Sequence, residues 1–226
     1  MSDKVAIIIP VYNEGQVIGD VIRKVIKHYP FVVCVNDGSR DNSVRVISQT
    51  GAHLINHPVN LGQGAALQTG LEYALQDPNV AYFVTYDADG QHRLEDVTKM
   101  LEVIKKDKVD IVLGSRFLGK AENITPLKKL ILKMAIKFSN KTSGLKLTDT
   151  HNGLRVFNRH VAENLYITMN DFAHASEILE RIAEKNFTYK EVPVTIRYTE
   201  YSRSKGQSIA NAVNIGLDVM LRKLHK

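Results

Sequence analysis

The stretch "TYDADGQH", residues 85 to 92, places two carboxylates, Asp87 and Asp89, one residue apart directly after the apolar run Ala81, Tyr82, Phe83 and Val84. Side chains two apart on an extended strand point to the same side, so both acids are expected to converge on one point beyond the strand end. Two like charges held that close call for a cation between them. An ordinary acidic turn is the alternative reading.

Polar clusters close the other apolar runs as well. Val5 to Ile9 is followed by Pro10, Tyr12, Asn13 and Glu14; Val32 to Val35 by Asn36, Asp37, Gly38 and Ser39; and Ile111 to Leu113 by Ser115 and Arg116. Strand ends need turn residues, and Asp37-Gly38 taken alone is what a tight turn selects. Repeated polar clusters at one sheet edge are not needed for folding. "GQGAALQTG", residues 62 to 70, has a G-x-G but lacks the third glycine of a dinucleotide fingerprint, and is read as close packing at a helix start.

The elements that must position these residues follow from the apolar pattern. Val17, Ile18, Val21, Ile22, Val25 and Ile26 form one helical stripe, and further helical segments are expected near 41 to 50, 62 to 76 and 94 to 106. Their alternation with buried strands predicts an α/β fold, a mostly parallel doubly wound sheet flanked by helices. Such a sheet binds ligands beyond the carboxyl ends of its strands, where the polar clusters fall. Ile209, Val213, Leu217, Met220 and Leu224 add a C-terminal amphipathic helix.

Composition sets the outer limits. At 226 residues the chain has ample length for one sizeable core, and 44% hydrophobic with 24% charged residues is an ordinary globular balance. The single cysteine, Cys34, excludes a disulfide framework or a cysteine metal site and suits a reducing cytoplasm. No signal segment opens the chain and no apolar run approaches the roughly 18 residues of a membrane span, so neither export nor crossing is expected. From Lys120 to Lys146 seven lysines face only Glu122, a local +6 that equals the formal charge of the whole chain. A solvated helix face or an anionic partner accounts for that excess. Within it, "LKKLILKMAIKF" from Leu127 to Phe138 is expected to be a helix resting on a membrane surface. Leu127, Leu130, Ile131, Met134, Ala135 and Phe138 make one stripe, Leu132 and Ile136 widen it, and Lys129, Lys133 and Lys137 gather on the other side. Packing between the core and the C-terminal helix is the competing account. No basic-aromatic alternation points to nucleic acid.

Seven stretches in order resemble the family 2 glycosyltransferases of the GT-A fold, and within them the dolichol-phosphate-mannose-synthase-like group. They are "IIIPVYNE" (7–14), "VNDGSRDNS" (35–43), "NLGQGAALQTG" (60–70), "DADGQH" (87–92), "GSRF" (114–117), "DTHNGLRVF" (149–157) and "EVPVTIRY" (191–198). Asn36 stands where the family usually has the first acid of "DDGS", and Ser202 or Arg203 where it has a glycine. The resemblance implies one GT-A domain over 1–226, with a nucleotide-sugar-binding half at 1–118 and an acceptor-binding half with the C-terminal helix at 119–226.

It also implies an inverting, metal-dependent transfer from a nucleoside-diphosphate sugar. Mg2+ or Mn2+ would be held by Asp87 and Asp89, with Gln91 as a third group, since these ions favour oxygen ligands and let substrate phosphates complete the shell. Pro10, Tyr12, Glu14, Asp37, Ala88 and Arg116 would line the donor pocket with the acid pair. If the acceptor is a sugar hydroxyl, as in polysaccharide or glycolipid synthesis, a carboxylate base is needed, and Asp149 and Glu177 are the candidates. A polyprenyl phosphate is already ionised and needs cations, for which Arg116, Arg155, Arg197, Arg203 and Lys205 are candidates. His151 lies in the same stretch and is read as structural, and Glu177 has the rival reading of a helix-surface acid. The polyprenyl phosphate is favoured, at the cytoplasmic membrane face, with a separate integral membrane protein as a further partner. A nucleotide-sugar-binding module without turnover is the other class.

Overall fold

The structure is a computed structural model and describes residues 3–170 and 173–201. The expected C-terminal helix, together with Ser202, Arg203 and Lys205, lies outside the described residues. In chain order the elements are β1 (Lys4–Val11), α1 (Ile18–Ile26), β2 (Phe31–Asp37), α2 (Ser43–Ser48), β3 (His53–His57), α3 (Gln63–Leu75), β4 (Val80–Thr85), α4 (Leu94–Asp107), β5 (Ile111–Glu122), α5 (Pro126–Ser143), β6 (Arg155–Asn158), α6 (Arg159–Asn164), α7 (His174–Glu184) and β7 (Tyr189–Arg197).

Seven strands form one sheet in the order β3-β2-β1-β4-β6-β5-β7. Every pairing is parallel except those of β6, which runs antiparallel to both β4 and β5. The central strand β1 shows why the sheet is covered on both sides. Its Ile7 and Ile9 enter one apolar layer with Ile18, Ile22 and Met100, while Ala6 and Ile8 enter the other with Leu67, Leu71 and Ile178. A strand buried on both faces reads as a continuous apolar run, as "AIII" does.

Two glycines in α3 permit close approach, as the sequence led us to expect. A side chain on Gly64 would overlap the carbonyl oxygen of Met169, and one on Gly70 would press on Ile8 of β1. Three strands departed from the expected alternation. β3 carries two histidines and lies at the sheet edge, β6 is only four residues long, and β7 pairs at the far edge. β5 also runs past Leu113 to Glu122, with a register shift against β7 between Ser115 and Lys120. That irregularity takes Arg116 out of the regular ladder, the usual effect of a bulge beside a site.

Candidate active site

The polar clusters converge as predicted, and the reversed strand explains one convergence the sequence did not show. β1, β2, β4 and β5 all run in one sense, so their carboxyl ends share an edge. Because β6 runs the other way, with Arg155 opposite Thr85, it is the beginning of β6 that lies at this edge. Arg155 and the loop before it are thereby set beside the acid pair.

The acids sit in the turn after β4, because the strand ends at Thr85 rather than continuing through them. Gly90 takes a φ of 74° there, a conformation that favours glycine. Asp89 accepts from the Gln91 backbone at 3.0 Å and from the Gln91 side-chain amide. Gln91 thus reaches the pair as a donor to Asp89. Asp87 accepts from His92 Nε2 at 2.9 Å and from Gln63 Nε2 at 3.4 Å. Gly153 leaves just enough room, since a Cβ there would stand 2.5 Å from both Asp87 oxygens. Burial pushes Asp87 up, yet His92, Arg155 and His174 outweigh it and hold its carboxyl below the usual range. Burial and the Asp87 charge push Asp89 up to about 6. One acid is therefore held ionised and the other bears the repulsion, which a bound cation would relieve.

Buried cations stand behind the acids. Arg155 is 2% exposed, and its guanidinium is pulled down to about 10 by burial, with Asp87 and Asp149 opposing the fall. Among the described residues, three buried side-chain nitrogens lack a hydrogen-bond partner: Arg155 Nη1, Asn152 Nδ2 and His92 Nδ1. All three belong to this cluster. Unpaired buried polar atoms are costly, and their clustering beside the acids fits a site that a polar ligand completes. A divalent cation with phosphate oxygens matches this set, with two carboxylates for the metal and the Arg155 and Asn152 N–H donors for the oxygens. Among the described residues no three His, Cys, Asp or Glu side chains form a complete metal cage.

Asp149 and Arg116 form a buried ion pair. Asp149 Oδ2 accepts from Arg116 Nε at 2.6 Å and from its backbone N at 3.0 Å, and Arg116 Nη1 donates to the Tyr198 hydroxyl at 2.7 Å. Burial acts against the Arg116 charge, but Asp149 and Tyr198 more than restore it. Glu191 fixes the loop from behind by accepting from Thr148 and from the Asp149 backbone. His151, bonded to Thr150 Oγ1 at 2.8 Å, is lowered to about 4, chiefly by burial. Burial thereby favours the neutral ring.

Other candidates have internal partners. Glu177 is not a helix-surface acid: it is 4% exposed and accepts from Thr168 N, Thr168 Oγ1 and Met169 N. Its carboxylate holds the loop before α7. Asp37 accepts from His57 Nδ1, Leu61 N and Gly62 N, each at 2.8 Å, so it anchors the loop from 57 to 62. Asn36 bonds Asn56 and Ser39 N. Arg197 is not gathered into the cluster; its side chain is 67% exposed and lies 3.8 Å from Glu122. Glu14 accepts from the Tyr201 hydroxyl at 2.7 Å. Pro10 and Ala88 are buried, and Tyr12, just after the end of β1, is 45% exposed.

Lys128, which no sequence pattern singled out, joins the site from the first turn of α5. Its Nζ lies 4.4 Å from the centre of the Tyr198 ring. Burial and Arg116 lower its pKa while Asp89 opposes them, so both charges act on it. The available signal was "TP" at 125 and 126, a cap and first-position proline that fix where the helix starts.

The fold is a seven-stranded α/β sheet with a polar cluster at one edge, and the comparisons with known proteins give its family. Residues 6–166 match the model of glycosyl transferase family 2, and the chain belongs to that family. It is similar to the UDP-N-acetylglucosamine–dolichyl-phosphate N-acetylglucosaminyltransferase of Methanococcus voltae, at 31% identity over 100% of this chain and 99% of that one. It is also similar to the polyprenol monophosphomannose synthase of Mycolicibacterium smegmatis, at 26% identity over 94% and 85% of the two chains. Among solved structures, glucosyl-3-phosphoglycerate synthase from Mycobacterium tuberculosis in complex with Mn2+ and UDP-glucose superposes with a TM-score of 0.72 at 14% identity, covering 97% of this chain and 77% of that one. The chain is a glycosyltransferase of the GT-A fold.

Proposed function

We propose that the chain transfers a sugar, with inversion, from a nucleoside-diphosphate sugar to a polyprenyl phosphate at the cytoplasmic face of the cell membrane. The observation that carries this reading is the state of the two candidate bases. Asp149 is paired with Arg116 and Glu177 is spent on the Thr168–Met169 loop. A hydroxyl acceptor would need a carboxylate free to take its proton, whereas an ionised phosphate needs only cations. Arg155 and Arg116 supply cationic surroundings in which such an acceptor is stabilised. The names of both relatives, each a transferase or synthase of a lipid-linked sugar phosphate, support the same acceptor.

Asp87 and Asp89 would hold Mg2+ or Mn2+, which supplies charge to the departing diphosphate. His92 and Gln63 fix the direction of Asp87, and Gln91 that of Asp89. Residues 1–118 serve the donor, with Pro10, Tyr12, Glu14 and Asp37 around the nucleoside, and 119–226 serve the acceptor. Among the described residues no helix is long and apolar enough to cross a membrane. Membrane contact then falls to α5, where Leu127, Leu130, Met134 and Phe138 are exposed along one stripe with Lys129, Lys133 and Lys137 exposed beside it. A separate integral membrane protein is a further partner in this reading.

The test is release of nucleoside diphosphate from a panel of nucleotide sugars, with and without polyprenyl phosphate. Release that depends on the lipid phosphate and on a divalent ion is the expected result. Equal release without lipid, or release stimulated only by a glycan, would count against it.

A further inference from the structure

A guanidinium carries its donors in one plane, so whatever fixes two of its edges also aims the third. Two edges of Arg116 are fixed. Nε donates to Asp149 Oδ2 at 2.6 Å and Nη1 to the Tyr198 hydroxyl at 2.7 Å. Nη2 donates to nothing among the described residues and is not one of the buried nitrogens without a partner, so solvent reaches that edge. Lys128 and Arg155 both feel the Arg116 charge, which sets this guanidinium among the cations of the site.

Asp149 alone does not set the plane. Its Oδ2 takes both the Nε and the backbone N–H of Arg116, so a single oxygen is the pivot on that side. The Tyr198 hydroxyl is the second point, and two points stop the turn. Tyr198 is itself held firmly. It is 2% exposed, its backbone N–H donates to the Glu122 carbonyl at 3.1 Å, and its own carbonyl accepts from Asn123 Nδ2 at 3.4 Å. The residue before it, Arg197, donates its backbone N–H at 3.2 Å to the carbonyl of Gln91, whose own backbone N–H binds Asp89. The irregular ladder makes this meeting possible. The shift between Ser115 and Lys120 takes Arg116 out of register, while pairing resumes from Lys120 with Thr195 to Glu122 with Arg197 and so delivers Tyr198.

We infer that Tyr198 is a positioning residue: its hydroxyl fixes the plane of the Arg116 guanidinium so that the Nη2 edge meets a phosphate oxygen of a substrate. The inference rests on the reading proposed above, in which Arg116 serves a substrate phosphate. Nucleoside diphosphate and lipid phosphate offer that edge the same chemistry, and the arms of the experiment separate them.

The experiment is equilibrium titration of the full chain, with UDP and GDP in the presence of Mg2+ as one arm and farnesyl phosphate as the other. Tyr198→Phe removes the hydroxyl and keeps the ring under Lys128. Arg116→Lys keeps a cation beside Asp149 but has no guanidinium plane to aim, and a double variant carries both changes. At least one arm should bind roughly 5- to 20-fold more weakly to Tyr198→Phe, the scale of a misaligned charged hydrogen bond. The weakened arm names the phosphate. That arm should weaken at least as much in Arg116→Lys, and the double variant should stay within about twofold of Arg116→Lys, because a residue that acts through another then has nothing left to act on. Losses that multiply in the double variant would show that Tyr198 serves the fold and not Arg116, and would overturn the inference. Parent-like binding of Tyr198→Phe in both arms would also overturn it, and either result leaves the acceptor class standing. If Arg116→Lys binds both arms as the parent does, Arg116 meets no substrate phosphate and the inference falls with that reading. If the parent binds a nucleotide but no farnesyl phosphate, the acceptor class falls, and the nucleotide arm alone decides on Tyr198.

Discussion

Asp89 bears the repulsion of the site, raised to about 6 by burial and by Asp87. Asp89→Asn removes the charge and keeps the volume, so transfer should drop by at least about 100-fold, as for other losses of transition-state charge stabilisation. Mg2+ or Mn2+ should raise the melting temperature of the parent and not of this variant; a parent-like rate and a parent-like metal response would remove the assignment. Arg155→Ala should cost far more activity than Glu177→Gln, because the acceptor needs charge and not proton removal. Glu177→Gln instead presents an amide to the Thr168 and Met169 N–H donors, and should lower stability by about 1–3 kcal/mol while activity persists. The reverse order of activities would favour a hydroxyl acceptor. His151 gives a pH signature. Its ring is held down to about 4 against an ordinary 6.5, so its contribution to stability is present above about pH 6.5 and is lost as pH falls toward 4, up to about 3 kcal/mol. His151→Gln should flatten the melting temperature across that window, and an unaltered profile would show that the ring is not buried neutral. The acid pair was legible in the sequence because carboxylates that close together are rarely arranged without purpose. Lys128 was not, because one lysine among seven looks alike until the helix start and Tyr198 give it a direction.

At the scale of elements, α5 shows what periodicity reveals and what it leaves out. The pattern marked Leu127–Phe138 as helical, and the helix found is longer, from Pro126 to Ser143, with Ser139 as its buried residue. Leu127, Leu130, Met134 and Phe138 remain between 39% and 57% exposed, more apolar surface than packing on one neighbour leaves open. Replacing Lys129, Lys133 and Lys137 together with Glu should release the protein from vesicles containing anionic lipid, while hydrolysis of the soluble donor continues. Each lysine near such a surface contributes about 1 kcal/mol, so the triple reversal acts well beyond a single contact. Unchanged vesicle binding in that variant, measured by flotation at low salt, would remove the interfacial role. β6 is the element the sequence concealed. Four residues, "RVFN", give too short an apolar run to reveal a direction, and direction is what places Arg155 beside Asp87. β3 was hidden for a related reason: an edge strand with a burial pattern broken by two exposed residues has no continuous apolar signature.

For the whole molecule, the first half was readable because buried parallel strands demand continuous apolar runs and their ends collect the polar residues that bind. "AIII", "VVCV" and "FVT" could hardly be anything else, and the site followed from what came after them. The second half was less readable because its strands insert out of sequence order, β6 between β4 and β5 and β7 beyond β5. Long-range pairing of that kind leaves no local trace. In the proposed transfer both halves act together, the donor's diphosphate meeting the acid pair and the acceptor phosphate meeting the cations behind it. The most direct measurement is the chemical fate of a radiolabelled sugar when the purified chain is given its nucleotide sugar, polyprenyl phosphate and Mg2+ or Mn2+. The label should pass into the organic phase as a polyprenyl phosphate bearing one sugar of inverted anomeric configuration, and should stay in water when metal is chelated. Label found on a glycan hydroxyl, or a lipid product of unchanged amount after chelation, would contradict it.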